Sequence, residues 1–265
     1  MDPYAWSWDF EAVVLAPALV LAYAAAVRLA RAERWRIVCG LAGIALIVLA
    51  FVSPLQRLAL HFLLTAHLLQ NVVLAEWAPA LLVFAAPPVL ARRPRVPMAL
   101  ALPVWLGTYF AWHVPPVYDF ALRHPATVLH VEHLTYLAAG LLFWWPVAHG
   151  PERSGAKALY LFAGFVLASP LGLLLALVPR AVYSFYAEAP RVWRISPLGD
   201  QQLAGATMAS EQAVVLFVFT LVYALRFMRE EAGLGIYDAL KETSASRVSS
   251  TPVAQTRSTS SSGRS

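Results

Sequence analysis

Runs of about 20 apolar residues recur along this chain, each long enough to cross a hydrocarbon core about 30 Å thick as a helix. Lipid offers no water to satisfy backbone N–H and C=O groups, so every such run must satisfy its own. Seven candidate spans follow: Ala12–Leu29, Trp35–Val52, His61–Phe84, Met98–Trp112, Val128–Val147, Ala158–Val178 and Ala204–Phe227. The fourth is short, begins after Pro97 and carries Pro103 inside it, which disfavours a straight helix. The fold class expected is all-α, a polytopic transmembrane helical bundle. Composition excludes a conventional soluble enzyme, since 60% of residues are hydrophobic and only 13% charged, against roughly 25% charged in an ordinary soluble domain.

The net charge of +5 would suit nucleic acid if it formed a patch, but Lys and Arg fall between the apolar runs, so no nucleic-acid partner is expected. Their distribution gives orientation instead, because cytoplasmic flanks collect positive charge. One set of flanks holds fifteen Lys and Arg, among them Arg28, Arg31, Arg92, Arg93, Arg153 and Arg229, and the other holds five: Arg57, Arg123, Arg180, Arg191 and Arg194. This puts the amino terminus outside and the carboxyl terminus in the cytoplasm, which requires an odd number of spans. Asp2, Asp9 and Glu11 precede the first apolar run, where a secretory signal would be basic, so the first span is expected to be retained. Residues 1–242 are read as the transmembrane helical domain. From Thr243 to Ser265, 13 of 23 residues are Ser or Thr, a composition that cannot offset the entropy of ordering, so residues 243–265 are expected to be a disordered cytoplasmic tail. A single cysteine, Cys39, excludes an intramolecular disulfide and a Cys-rich metal cage.

Ionisable residues at membrane depth are expensive and point to function. With the orientation above, His61, His67, His113, His124, His130 and His133 lie on or towards the outer side, and only His149 lies inside. His130 and His133 are about 60° apart around a helix, so one face can present both. His61 and His67 are about 120° apart and are not expected to chelate together unless a helix starts between them. A nitrogen-rich centre of His67, His130 and His133, with His61 or His113 at its rim, is the site this spacing suggests. Imidazole suits copper, zinc and iron, whereas magnesium and calcium want more carboxylates. The competing reading, for His61, His113 or His124 taken singly, is a histidine that merely hydrogen-bonds a neighbouring helix. Glu132 points away from both histidines of its pair, by about 100° or more, and is expected to anchor a second helix. His67 shares a face with Gln70 and Asn71. Glu76 is placed nearer the cytoplasmic end, while Glu211 is placed within reach of the histidines.

The segments "HFLLTAHLLQNVVLAEWAPALLVFAAPP", "WHVPPVYDFALRHPATVLHVEHLTYLAAGLLFWWPV" and "SPLGDQQLAGATM", in that order, resemble the multi-spanning CtaG family of cytochrome c oxidase assembly factors. This family is distinct from the single-span copper chaperone that shares the name. The resemblance runs from about His61 to Met208, on His61, His67, Trp112, His113, Pro115, His130, Glu132, His133, Asp200, Gln201, Gln202, Gly205 and Met208. Just after Met208, "ASEQ" stands where a Trp and a Pro-Gly pair are common in the family. The resemblance implies a multi-pass protein of the bacterial plasma (inner) membrane, with haem-copper oxidase subunits and the lipid bilayer as partners and a part in copper handling.

The function expected is therefore an assembly factor, not an enzyme and without catalytic residues, that holds or delivers copper at an outward-facing site. His67, His130, His133, His61, His113 and Met208 are the candidate ligands, the last a soft thioether suited to Cu(I). Glu132, Asn71, Asp200, Gln201, Gln202 and Glu211 are the candidate supports. The alternatives are a membrane electron carrier with haem b held by two histidines, and a copper permease.

Overall fold

Prolines and the short polar breaks between apolar runs decide where the helices begin. The computed structural model of the protein describes residues 2–8, 13–14, 16–30, 33–87 and 95–249. Its helices are α1 (Ala16–Ala30), α2 (Arg34–Val52), α3 (Pro54–His61), α4 (Leu64–Val72), α5 (Ala78–Ala85), α6 (Met98–Trp112), α7 (Pro115–Arg123), α8 (Val128–His149), α9 (Ser154–Leu177), α10 (Ser184–Glu188) and α11 (Pro197–Ser249). No strand occurs among the described residues. A π turn, Val73–Trp77, joins α4 to α5. Proline stands in the first turn of α3 and α7, where its missing N–H costs nothing. Ahead of Pro115, Val114 is extended (ψ 120°), which ends α6 and turns the chain into α7.

Each expected apolar run is largely helical over its described residues. Four helical stretches are long and apolar enough to cross a membrane: Arg34–Val52, Leu64–Ala85, Ser154–Leu177 and Pro197–Leu234. Helices α7 and α8, bent by 119° at their break, make a fifth if taken as one span, and α6 is a shorter apolar helix. The expected third span departs from the sequence reading. It breaks at Phe62 and Leu63, so that His61 ends α3 while His67 lies inside α4. Helix α11 runs through Ser249, so the first residues of the expected tail belong to a helix, and 250–265 lie outside the described residues. Arg31, Arg92 and Arg93 lie outside them too.

One apolar core runs through the bundle, with Ile47 and Phe51 of α2, Leu64 and Leu68 of α4, Trp105 of α6, Phe143 and Trp144 of α8 and Leu161 of α9. Aromatic rings fill its middle: Trp105 and Phe143 stack at 4.4 Å between centroids, and Phe143 meets Tyr160 at 5.0 Å. Helices α9 and α11 approach backbone to backbone. A Cβ on Gly205 would stand 2.5 Å from Ala176 N and from Gly172 O, so only glycine allows this contact.

Contacts also sort the connections into two ends. At one end meet the α2–α3 corner, the break before α4, α7, α10 and the start of α11, with the amino-terminal segment docked there through Ser7 N to Val52 O at 2.9 Å. At the other, Arg36 of α2 donates to Ala86 O at 2.8 Å and His149 of α8 bonds Val83 O at 2.8 Å.

Candidate functional site

The break before α4 leaves its first amides without an acceptor, because Leu63 is extended and its side chain caps nothing. Asp200, in the first turn of α11, provides one. Its carboxylate accepts from Leu64 N at 2.7 Å, Thr65 N at 3.0 Å and Thr65 Oγ1 at 2.7 Å, a negative group where the helix dipole favours it. This contact sets α4 and α11 side by side and parallel. Gln201 pins the preceding loop, accepting from Val182 N at 2.7 Å and donating to Arg180 O at 3.0 Å. Gln202 is exposed.

One turn into α4, His67 is completely buried. Its Nδ1 lies 2.9 Å from the Tyr186 hydroxyl, which itself donates to Ala59 O at 2.6 Å. A carbonyl only accepts, so the phenolic proton is committed to Ala59 and the imidazole presents N–H at Nδ1. Burial holds the Tyr186 hydroxyl well above the ordinary phenol range, which keeps that proton in place. The neutral ring therefore carries its lone pair on Nε2, facing Glu132 Oε1 at 3.7 Å. Asn71, four residues after His67, donates to the same oxygen at 2.9 Å. The His133 ring stands 6.1 Å from that of His67 and 5.0 Å from Phe51. Glu132 Oε2 has no hydrogen-bond partner. An imidazole lone pair and a carboxylate oxygen facing each other in a dry interior repel unless a proton or a cation stands between them.

The remaining expected residues are distributed around this centre. Helix α8 buries Leu129, Glu132, His133, Tyr136 and Gly140, a stripe spaced by three and four residues, and His130 falls beside it, half-buried. Glu132, expected to anchor a second helix, does so through Asn71 of α4 and is the acid that faces His67. His113 is one ring removed: Tyr118 stands 5.2 Å from His67 and 5.8 Å from His113. The His113 Nδ1 bonds Tyr109 O at 2.7 Å, so its proton is on that nitrogen too. His61 lines an open groove of about 390 Å3 with Phe62, Arg123, Phe185 and Glu188. Met208 is buried and lines a small cavity of about 10 Å3 with Asn71, Glu76, Tyr109, His113 and Tyr136. Glu211 does not join the histidines; Trp77 Nε1 donates to it at 2.6 Å. Among the described residues no three His, Cys, Asp or Glu side chains stand close enough, as placed, to close on one metal ion.

Sequence reasoning missed Tyr186, Tyr118 and Tyr183. The Tyr118 and Tyr183 rings lie 4.5 Å apart, tilted by 40°, and Tyr183 donates to His113 O at 3.0 Å. Their sequence signal is limited to three tyrosines in two segments between apolar runs, at the same end of the bundle as the histidine cluster.

No curated protein and no solved structure is significantly similar to the chain. A model of the cytochrome c oxidase caa3 assembly factor family, Caa3_CtaG, matches residues 21–99 and 93–230, which together hold the histidine cluster, Asp200 and Glu211. With most of its length matched in this way, the chain belongs to the cytochrome c oxidase caa3 assembly factor family.

Proposed function

We propose that this protein serves oxidase assembly from the bacterial plasma membrane by holding a copper ion in transit at His67, Glu132 and His133. The observation that carries the reading is the pair of facing acceptors, His67 Nε2 and Glu132 Oε1, 3.7 Å apart and buried, with the histidine proton drawn to the far nitrogen by Tyr186. Two imidazoles suit a borderline or soft cation, and Cu(I) accepts low coordination numbers that a crowded, dry site can supply. The ion is cargo, and the bundle supplies a shelter from water.

The test titrates Cu(I) into purified protein against a competing chelator. His67→Ala and His133→Ala should each weaken binding about tenfold or more, since losing one nitrogen costs at least about 1.4 kcal/mol, while His130→Ala and His149→Ala should leave it unchanged. Equal affinity in wild type and the His67→Ala/His133→Ala variant would remove the reading. A visible spectrum of the same sample checks the haem b alternative, which demands sharp reduced bands.

A further inference from the structure

Glu76 and Glu211 sit inside two apolar helical stretches, Leu64–Ala85 and Pro197–Leu234, 1% and 8% exposed, where carboxylates are costly. Separate devices bring each of them there. Glu76 lies in the π turn Val73–Trp77, a form found mostly as single-turn insertions at functional sites. Glu211 arrives by register: Asp200 fixes the start of α11 against Leu64, and the two acids lie roughly 16 and 18 Å further along parallel helices. The two carboxyl groups are neighbours, because Trp77, next to Glu76, donates through Nε1 to Glu211 Oε1 at 2.6 Å, and Gln212, next to Glu211, reaches back to Glu76. Gln212 Nε2 donates to Glu76 Oε1 at 3.2 Å and lies 2.8 Å from the Tyr109 hydroxyl. No ion pair found among the described residues involves either acid. The titratable groups facing them are Tyr109 of α6 and, across the small cavity, His113 and Tyr136.

Glu76 Oε2 and Glu211 Oε2 each lack a donor. Neighbouring carboxyl groups in a dry interior, with no basic side chain paired to either, avoid double ionisation by keeping a proton. We propose that Glu76 and Glu211 form a proton-binding site inside the bundle, holding one proton between two carboxyl groups. The adjoining cavity, at about 10 Å3, has room for one water. Asn71, which donates to Glu132, lines the same cavity as Glu76, so little more than this cavity separates the acid pair from the His67 cluster and each feels the other's charge. In the part of the proposal that rests on the copper reading, a monovalent cation arriving at His67 is balanced by release of this proton from the bundle to water, and the net buried charge stays constant.

Infrared spectra of the purified full chain at neutral pH, in H2O and D2O, test the site. Wild type minus Glu76→Gln/Glu211→Gln should show the C=O absorption of one carboxylic acid per chain. No band, or two equivalents, overturns the shared proton. Should the double variant fail to fold by circular dichroism and gel filtration, Glu211→Gln alone should move the band, because the partner carboxylate is gone; an unmoved band overturns the proposal. Addition of Cu(I) should release one more proton from wild type than from the double variant, and equal release overturns the coupling. A protein that shows the band yet binds no Cu(I) supports the proton site and removes the copper reading.

Discussion

Asp200 does more for the histidine site than several residues that look like ligands. Its carboxylate is the acceptor for two amides at the start of α4, one buried and one partly buried, and removing it leaves Leu64 N and Thr65 N without that partner. Asp200→Ala should therefore destabilise the protein by about 2–4 kcal/mol, at roughly 1–2 kcal/mol for each stranded donor, read as a lowered thermal midpoint. Asp200→Asn, which keeps one oxygen, should lose less. Tyr186 acts on the site through His67 by fixing which nitrogen carries the proton. Tyr186→Phe should weaken Cu(I) binding about tenfold, as expected for a partner that orients a ligand, and a variant that binds like wild type would show that the tautomer is set elsewhere.

Helix contacts, rather than helix propensity, hold these residues in register. Helices α9 and α11 meet at Gly172 and Gly205 with backbones nearly touching, and α8 meets the π turn at Gly140, where a Cβ would stand 2.4 Å from Ala75 O. Neither neighbour is the far end of a flexible side chain, so neither yields cheaply. Gly205→Val and Gly140→Ala should each cost about 1–3 kcal/mol through overpacking. The two differ in consequence. Gly205→Val shifts the helix that carries Asp200 and Glu211 and should disturb both the cap on α4 and the acid pair. Gly140→Ala pushes on the turn that carries Glu76 and should change the carboxylic-acid infrared band before it changes Cu(I) affinity.

For the molecule as a whole, the two ends identified by contacts separate the charges as the sequence does. Arg57, Arg123, Arg180, Arg191 and Arg194 belong to segments at the end with the histidines, and Arg36, Arg153 and Lys157 to the other. Reporter fusions after Arg229 should be cytoplasmic and fusions in the loop before Pro197 exported; the reverse at either position would invert the orientation. Loss of the protein should leave oxidase subunits present but inactive and short of copper, while other respiratory enzymes work. Excess copper in the medium should restore part of the activity by mass action. Normal copper and haem in oxidase purified from the deletion strain would contradict this.

The apolar runs by themselves determined the helices, because a backbone in lipid has no other way to satisfy its polar groups. They also put six histidines towards one end, since the chain reverses direction at each polar break. Three things needed the tertiary structure. A run of apolar residues does not show that it breaks at Phe62 and Leu63, because the compensating acceptor, Asp200, is supplied from 136 positions away. Spacing within α8 gives the angle between His130, Glu132 and His133 but not which of them the neighbours cover, and the burial of Leu129, Tyr136 and Gly140 chose Glu132 and His133. Finally, Glu76 and Glu211 meet only because the cap at Asp200 sets two parallel helices in register, a relation between helices that no periodicity within either one contains.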